Sequence, residues 1–144
     1  MGTSKVRVTG GEPSLRKDLP AIIAACANTQ GIEHVAMTTN GYKLESDIQK
    51  WVDAGLNSLN ISIDSLDPRM FESITGHDKL TSILSGIDKA LALGVKVKVN
   101  AVLLKQYNSV NQASASVSEL FKFVKLNYKA VWSILLLINL VVKA

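Results

Sequence analysis

Cysteine is nearly missing from these 144 residues, with Cys26 the single one. That excludes an internal disulfide and any metal or cluster site built from several thiolates. No apolar run reaches the roughly 20 residues that a membrane-spanning helix needs. The longest, Val131 to Val142, has 12 residues and is interrupted by Ser133 and Asn139. No targeting leader stands before the first periodic segment, so the expected compartment is the cytoplasm. Gly2 follows Met1, but Val6 occupies the position where a myristoylation signal needs Ser or Thr. There is no Walker loop and no Ser/His/Asp arrangement. A basic body is missing too. Residues 1–108 carry 12 Lys/Arg against 11 Asp/Glu, and residues 109–144 carry four Lys against one Glu. The net charge of +4 therefore sits largely in the tail, and the body is not a nucleic-acid binder. The chain is 47% hydrophobic, enough for one core. It is too short for a complete eight-stranded barrel, which takes about 250 residues.

What is present begins with Lys5-Val6-Arg7-Val8-Thr9-Gly10-Gly11-Glu12-Pro13. Polar and apolar residues alternate over Lys5–Val8, the period of a half-buried strand. The strand runs into a glycine pair that lets the backbone approach a ligand. Glu12 follows, either an acceptor for an amine or a cap for the next helix, and Pro13 fixes the exit direction. A helix is expected from a cap at Asp18 to about Asn28, with Leu19, Ile22, Ile23 and Cys26 on one face. Strands are expected over His34–Thr39, Leu59–Asp64 and Val95–Leu104, and a helix over Glu45–Ala54. Asp67-Pro68 opens a short helix to Thr75, broken at Gly76, and Lys79–Leu93 forms a longer one. Strands separated by helices in this rhythm imply parallel β/α units, about four strands forming part of a (β/α) TIM-type barrel. Residues 1–108 make up that unit. Residues 109–144 read as a polar linker followed by an atypical apolar tail, expected to be helical.

Strands of a parallel sheet buried on both faces read as continuous apolar runs. These do not. Arg7, Thr38, Ser62 and Lys98 each fall on the polar side of their strand's alternation, which gathers two cations and two hydroxyls on one surface. Such groups are costly to bury without partners. They suit a face that grips a polar, anionic ligand, with Arg7 and Lys98 toward phosphates. The same alternation would also suit an open sheet with one solvated face. The turns after the strands, Gly-Gly-Glu-Pro, Thr-Asn-Gly, Asp-Ser and Asn100, are rich in ligand-type residues and favour the binding reading. Cys26, Trp51 and Phe71 read as packing residues, and His34 and His77 as residues without ligand partners.

The ordered set Val6–Pro13, Thr38-Thr39-Asn40-Gly41, Asn60 to Asp67, Ile74-Thr75-Gly76 and Lys96 to Asn100 resembles the radical S-adenosylmethionine GTP 3′,8-cyclases, lyases of molybdenum-cofactor biosynthesis. Gly-Gly-Glu-Pro alone marks only the wider radical S-adenosylmethionine class. The resemblance covers residues 5 to about 108 and implies an internal fragment of the barrel. It implies that Gly10, Gly11, Glu12 and Ser62 belong to the S-adenosylmethionine site, and that Arg7, Thr38 and Lys98 bind GTP, the substrate. It also implies a 4Fe–4S cluster, held by cysteines of which this chain has none in the matching places, since Cys26 fits neither cluster position. No metal ligands are therefore expected here, and the chain alone is expected to be inactive. Two other readings are another radical S-adenosylmethionine enzyme with a different substrate, and a non-catalytic binding piece. An incomplete barrel would leave open sheet edges through which copies could associate.

Overall fold

The computed structural model describes residues 2–102 and 135–137. Strand β1 spans Lys5–Val8, and a 3-10 turn follows at Pro13–Leu15. Helix α1 spans Leu19–Ala27, β2 His34–Thr39, α2 Leu44–Asp53 and β3 Ser58–Ser62. Helix α3 spans Pro68–Thr75, α4 Leu80–Ala92, β4 Lys96–Val102 and β5 Leu135–Leu137. The five strands form one sheet in chain order, every pair parallel.

Register divides the sheet into two faces. Val8, Met37, Leu59 and Val97 lie in one row, with Ile61 and Val99 in the next. Met37, Leu59, Ile61, Val97 and Val99 are buried in a single cluster with Leu19 and Ile23 of α1, Leu44, Ile48 and Trp51 of α2, and Ile83, Ile87 and Ala90 of α4. Burial of an aliphatic side chain contributes about 1.5–3 kcal/mol, so this one-sided cluster is the main force that flattens the helices on the sheet. Residues one step along each strand point to the other face.

Local chemistry sets the helix ends. Asp67 accepts a hydrogen bond from Met70 N at 2.8 Å, Pro68 takes the first helical position, and Gly76 closes α3 in the left-handed conformation at φ 74°. Asp18 departs from its expected role. It stands before α1 but makes no side-chain cap bond. Its carboxylate accepts instead from Arg16 at 2.7 and 3.0 Å, because a fork-shaped guanidinium two residues away offers two donors at once.

The expected strands and helices differ from the observed ones by a residue or two, with one larger correction. The third strand ends at Ser62 rather than Asp64, and the fourth starts at Lys96 rather than Val95. The apolar tail, expected as a helix, contributes β5 at Leu135–Leu137, a fifth strand beside β4. A run of leucines has no period that separates helix from buried strand, and the unpaired edge of β4 offers backbone partners only to a strand. The expected linker, the division near residue 108 and the rest of the tail lie outside the described residues. Among the described residues, no helix is long and apolar enough to cross a membrane.

Candidate functional site

The parallel register brings the four polar-face residues to one side of the sheet. Arg7 pairs with Ala36, two residues before Thr38. Thr38 pairs with Asn60, and Asn60 with Lys98. Ser62 pairs with Asn100, one step further toward the carboxyl ends of the strands. Side chains two residues apart on a strand share a face, so Arg7, Thr38, Ser62 and Lys98 project from the side opposite the helices. Arg7 and Ser62 are exposed, and Thr38 and Lys98 are half-buried. Asn60, between Thr38 and Lys98, is buried. The Asn100 side-chain oxygen is shut off from solvent with no hydrogen-bond partner.

The Gly10-Gly11 turn leaves β1 at the same end of the sheet. Gly10 has φ 101° and Gly11 φ 50°, conformations that glycine adopts without the steric cost other residues incur. A Cβ added to either would meet nothing within 4 Å. Backbone conformation, rather than crowding, is therefore what requires glycine here, and open space lies over the turn.

Glu12 is tied down more completely than the sequence suggests. Its Oε1 accepts from Ser14 N at 3.0 Å and from the Thr39 hydroxyl at 2.6 Å, and its Oε2 accepts from Asn40 N at 2.7 Å. It thus caps the 3-10 turn and also joins the β1 turn to the end of β2. Thr39 is buried and in turn accepts from Gly41 N at 3.1 Å, which directs its own proton toward the carboxylate. Burial pushes the Glu12 carboxyl up, but the hydrogen bonds from the Thr39 hydroxyl, Asn40 N and Ser14 N outweigh it and hold the group below its ordinary value. The buried Ser14 hydroxyl also helps lower it, although it meets no acceptor with full hydrogen-bond geometry.

A cleft of about 450 Å³ opens beside this carboxylate, lined by Glu12, Ser14, Leu15, Tyr42, Lys43 and His77 among others. None of Arg7, Thr38, Ser62 or Lys98 lines it. The cleft and the polar face are separate features. The polar face is the better candidate, because it carries the two cations on rigid strands rather than loops. His77 meets the Tyr42 ring edge-on at 5.2 Å and is exposed, and His34 is exposed on β2. Trp51 and Phe71 are buried in the core, against which the half-buried Cys26 packs. Among the described residues no group of three or more His, Cys, Asp or Glu could hold a metal ion.

Thr39 was not singled out from the sequence. The signal was present: two consecutive threonines at a strand end must point to opposite faces, and a buried hydroxyl needs a partner.

The chain is similar to known proteins over most of its length. The model of the Radical SAM superfamily matches residues 1–110. A GTP 3′,8-cyclase of Aeromonas hydrophila is 63% identical over 109 residues, which is 75% of this chain and 32% of that protein. A GTP 3′,8-cyclase of Tolumonas auensis is 62% identical over 109 residues, again 75% and 32%. The chain thus spans about a third of the length of these curated relatives. Among solved structures, a domain of pyruvate-formate lyase-activating enzyme from Bacteroides vulgatus superposes with a TM-score of 0.59 at 22% identity, covering 78% of this chain and 69% of that one. The superposition supports a partial TIM-type β/α barrel. With more than two thirds of its length matched by the family model, the chain belongs to the Radical SAM superfamily.

Proposed function

We propose that this chain is the nucleotide- and S-adenosylmethionine-binding portion of a GTP 3′,8-cyclase-like protein acting in molybdenum-cofactor biosynthesis in the cytoplasm. Arg7 and Lys98 neutralise the phosphates of GTP, and the Thr38 hydroxyl, between them on the same face, orients the nucleotide. S-adenosylmethionine lies toward the carboxyl ends of the strands, its methionine amine received by the Gly10-Gly11-Glu12 turn and its far end beside Ser62. The observation that carries this reading is the register that puts Arg7, Thr38, Ser62 and Lys98 on one face. The identity to GTP 3′,8-cyclases supplies the ligand class.

The residues present fit S-adenosylmethionine. The turn has open space above it, and the exposed Ser62 offers a hydroxyl. Bound there, S-adenosylmethionine supplies a sulfonium whose reductive cleavage begins the chemistry of this family. The residues do not fit a 4Fe–4S cluster. These 144 residues carry one cysteine, and Cys26 sits on α1 among residues packed against the core. No electron-transfer step is assigned to this chain, and it is expected to be inactive by itself. Its own residues bind and orient the two ligands.

Equilibrium dialysis with GTP tests the substrate assignment. Arg7→Ala and Lys98→Ala each remove a charge-assisted contact worth roughly 1.5–3 kcal/mol, so each is expected to weaken GTP binding by about tenfold or more. GTP binding left unchanged by both substitutions would remove the nucleotide from this face. Dialysis with S-adenosylmethionine tests the second ligand, and no measurable binding would favour a non-catalytic interaction piece.

A further inference from the structure

The cleft beside Glu12 takes no part in the function proposed above, and its lining is dominated by one sign. Lys43, Lys79 and the exposed His77 stand on its walls, with Tyr42 and Leu15 beside them. Among the described residues neither lysine ammonium meets a carboxylate, since the ion pairs there are Arg16–Asp18 and Lys50–Asp47. The carboxylate that lines the cleft, Glu12, already answers three donors: Ser14 N, the Thr39 hydroxyl and Asn40 N. Asp78, between His77 and Lys79, is exposed and does not line it. Both lysines are also cap residues. Lys43 precedes α2 and Lys79 precedes α4, helices of 10 and 13 residues, and neither makes a side-chain cap bond. A helix start favours Ser, Thr, Asp or Asn, and it carries a partial positive charge that a lysine adds to rather than offsets. In the first turn of α2, Glu45 accepts from Ser85 and Asp47 from Lys50, and α4 has no acidic residue there. Two helices thus open at one cleft with a cation at the cap of each.

We propose that this cleft is a second binding site, for a small phosphate ester, distinct from the face that carries Arg7, Thr38, Ser62 and Lys98. The phosphate lies between Lys43 and Lys79, where it meets an ammonium group and a helix start from each side. A doubly charged phosphate suits the site better than a single carboxylate, because two lysines and two helix starts outweigh the one charge of Glu12. The buried Ser14 hydroxyl lies in the same lining and lacks an acceptor of full hydrogen-bond geometry, so it is a further donor. The organic part of the ligand rests on Leu15 and Tyr42. Leu15 is 69% exposed, a large apolar side chain left open at the mouth of the cleft. Tyr42 is held by the edge-on contact of its ring with His77 at 5.2 Å. The volume of about 450 Å³ falls in the range of small-molecule sites and leaves room for more than a phosphate alone. The site stands on the cleft and does not use the GTP or S-adenosylmethionine reading.

The test follows the backbone amide signals by two-dimensional NMR while inorganic phosphate, then phenyl phosphate, is added at constant ionic strength, since salt screens surface charges. The same titrations are run on Lys43→Gln, Lys79→Gln, Leu15→Ala and the Arg7→Ala/Lys98→Ala pair. The cleft site predicts saturable shifts at Lys43, Leu44, His77, Lys79 and Leu80 in the wild-type chain. The Arg7→Ala/Lys98→Ala pair should show the same shifts. Each glutamine substitution is expected to weaken phosphate binding by about threefold to fivefold, the loss of one exposed charge contact. GTP binding by dialysis should keep its wild-type strength in both. Phenyl phosphate should bind about threefold or more tighter than inorganic phosphate, and Leu15→Ala should remove most of that difference. Cleft signals that stay still, or that move equally when chloride replaces phosphate, would overturn the site. Loss of the shifts in the Arg7→Ala/Lys98→Ala pair would overturn it too, and would assign the phosphate to the polar face. Equal binding of the two phosphates with Leu15 intact would overturn the ester assignment. Absence of GTP binding by the wild-type chain would overturn the function proposed above, and the phosphate titrations would still decide the cleft.

Discussion

Glu12 holds a negative charge at a rim partly closed to water, and the sign of its pKa shift shows which effect prevails. Desolvation alone would raise the pKa and weaken ionisation. The donors from Thr39, Asn40 and Ser14 reverse this, and the folded-state pKa falls below that of an ordinary glutamate. A carboxyl whose pKa is depressed by folding contributes stability that is present above its unfolded pKa and is lost as pH falls through the folded value. Urea unfolding at pH 7 and pH 3 is therefore expected to show an acid-induced loss in the wild-type chain that is smaller in Glu12→Gln, which cannot titrate there. Equal losses in the two proteins would mean that the hydrogen bonds around Glu12 do not favour its charged form. Asp18 is also depressed, by its hydrogen bonds to Arg16, but it is exposed and its pair is screened by water, so it adds little.

Among the elements, the crossing of α2 and α4 leaves no room for a side chain at its centre. Gly86 of α4 is buried, and a Cβ there would come 2.7 Å from Glu45 N and 2.9 Å from Leu44 Cβ. Backbone cannot yield as a side-chain tip can. Ser85 and Lys89 flank the contact, donating to Glu45 Oε1 at 2.7 Å and Glu45 O at 3.2 Å. Gly86→Ala gains up to about 1 kcal/mol of helix propensity. It also overpacks the crossing, at a cost of typically 1–3 kcal/mol. The expected outcome is a net loss of stability in urea unfolding. A gain would show that α4 slides away freely, and the sheet–helix packing would then be looser than its geometry implies.

At the scale of the whole molecule, the two sides of the sheet end differently, at β1 on one side and at β5 beside β4 on the other. β1 has only four residues, and Lys5 and Arg7 are exposed on it, a pattern that discourages pairing with another chain. β4 has seven residues, and β5 pairs with it over Asn100–Val102. This cover comes from beyond residues 1–110, the part matched by the family model. Removing residues 131–144 is expected to expose the β4 edge and to produce species larger than the full chain, measurable by size-exclusion chromatography with light scattering. An unchanged mass would show that β5 does not protect the edge.

The alternation of residues along the chain determined the β/α order, the parallel sheet and the division of each strand into an apolar and a polar side. These follow from periods of 2 and 3.6 that any stretch carries within itself. That is why Arg7, Thr38, Ser62 and Lys98 were legible before any fold was known, and why a run such as Leu135–Leu137, with no period, was not. Only the tertiary structure decided where Glu12 points, because its partners Thr39 and Asn40 lie 27 and 28 residues away. A carboxylate in a turn can bind whichever donors packing brings to it, and no local pattern names them. The same holds for β5, whose strand conformation depends on an open edge elsewhere in the sheet.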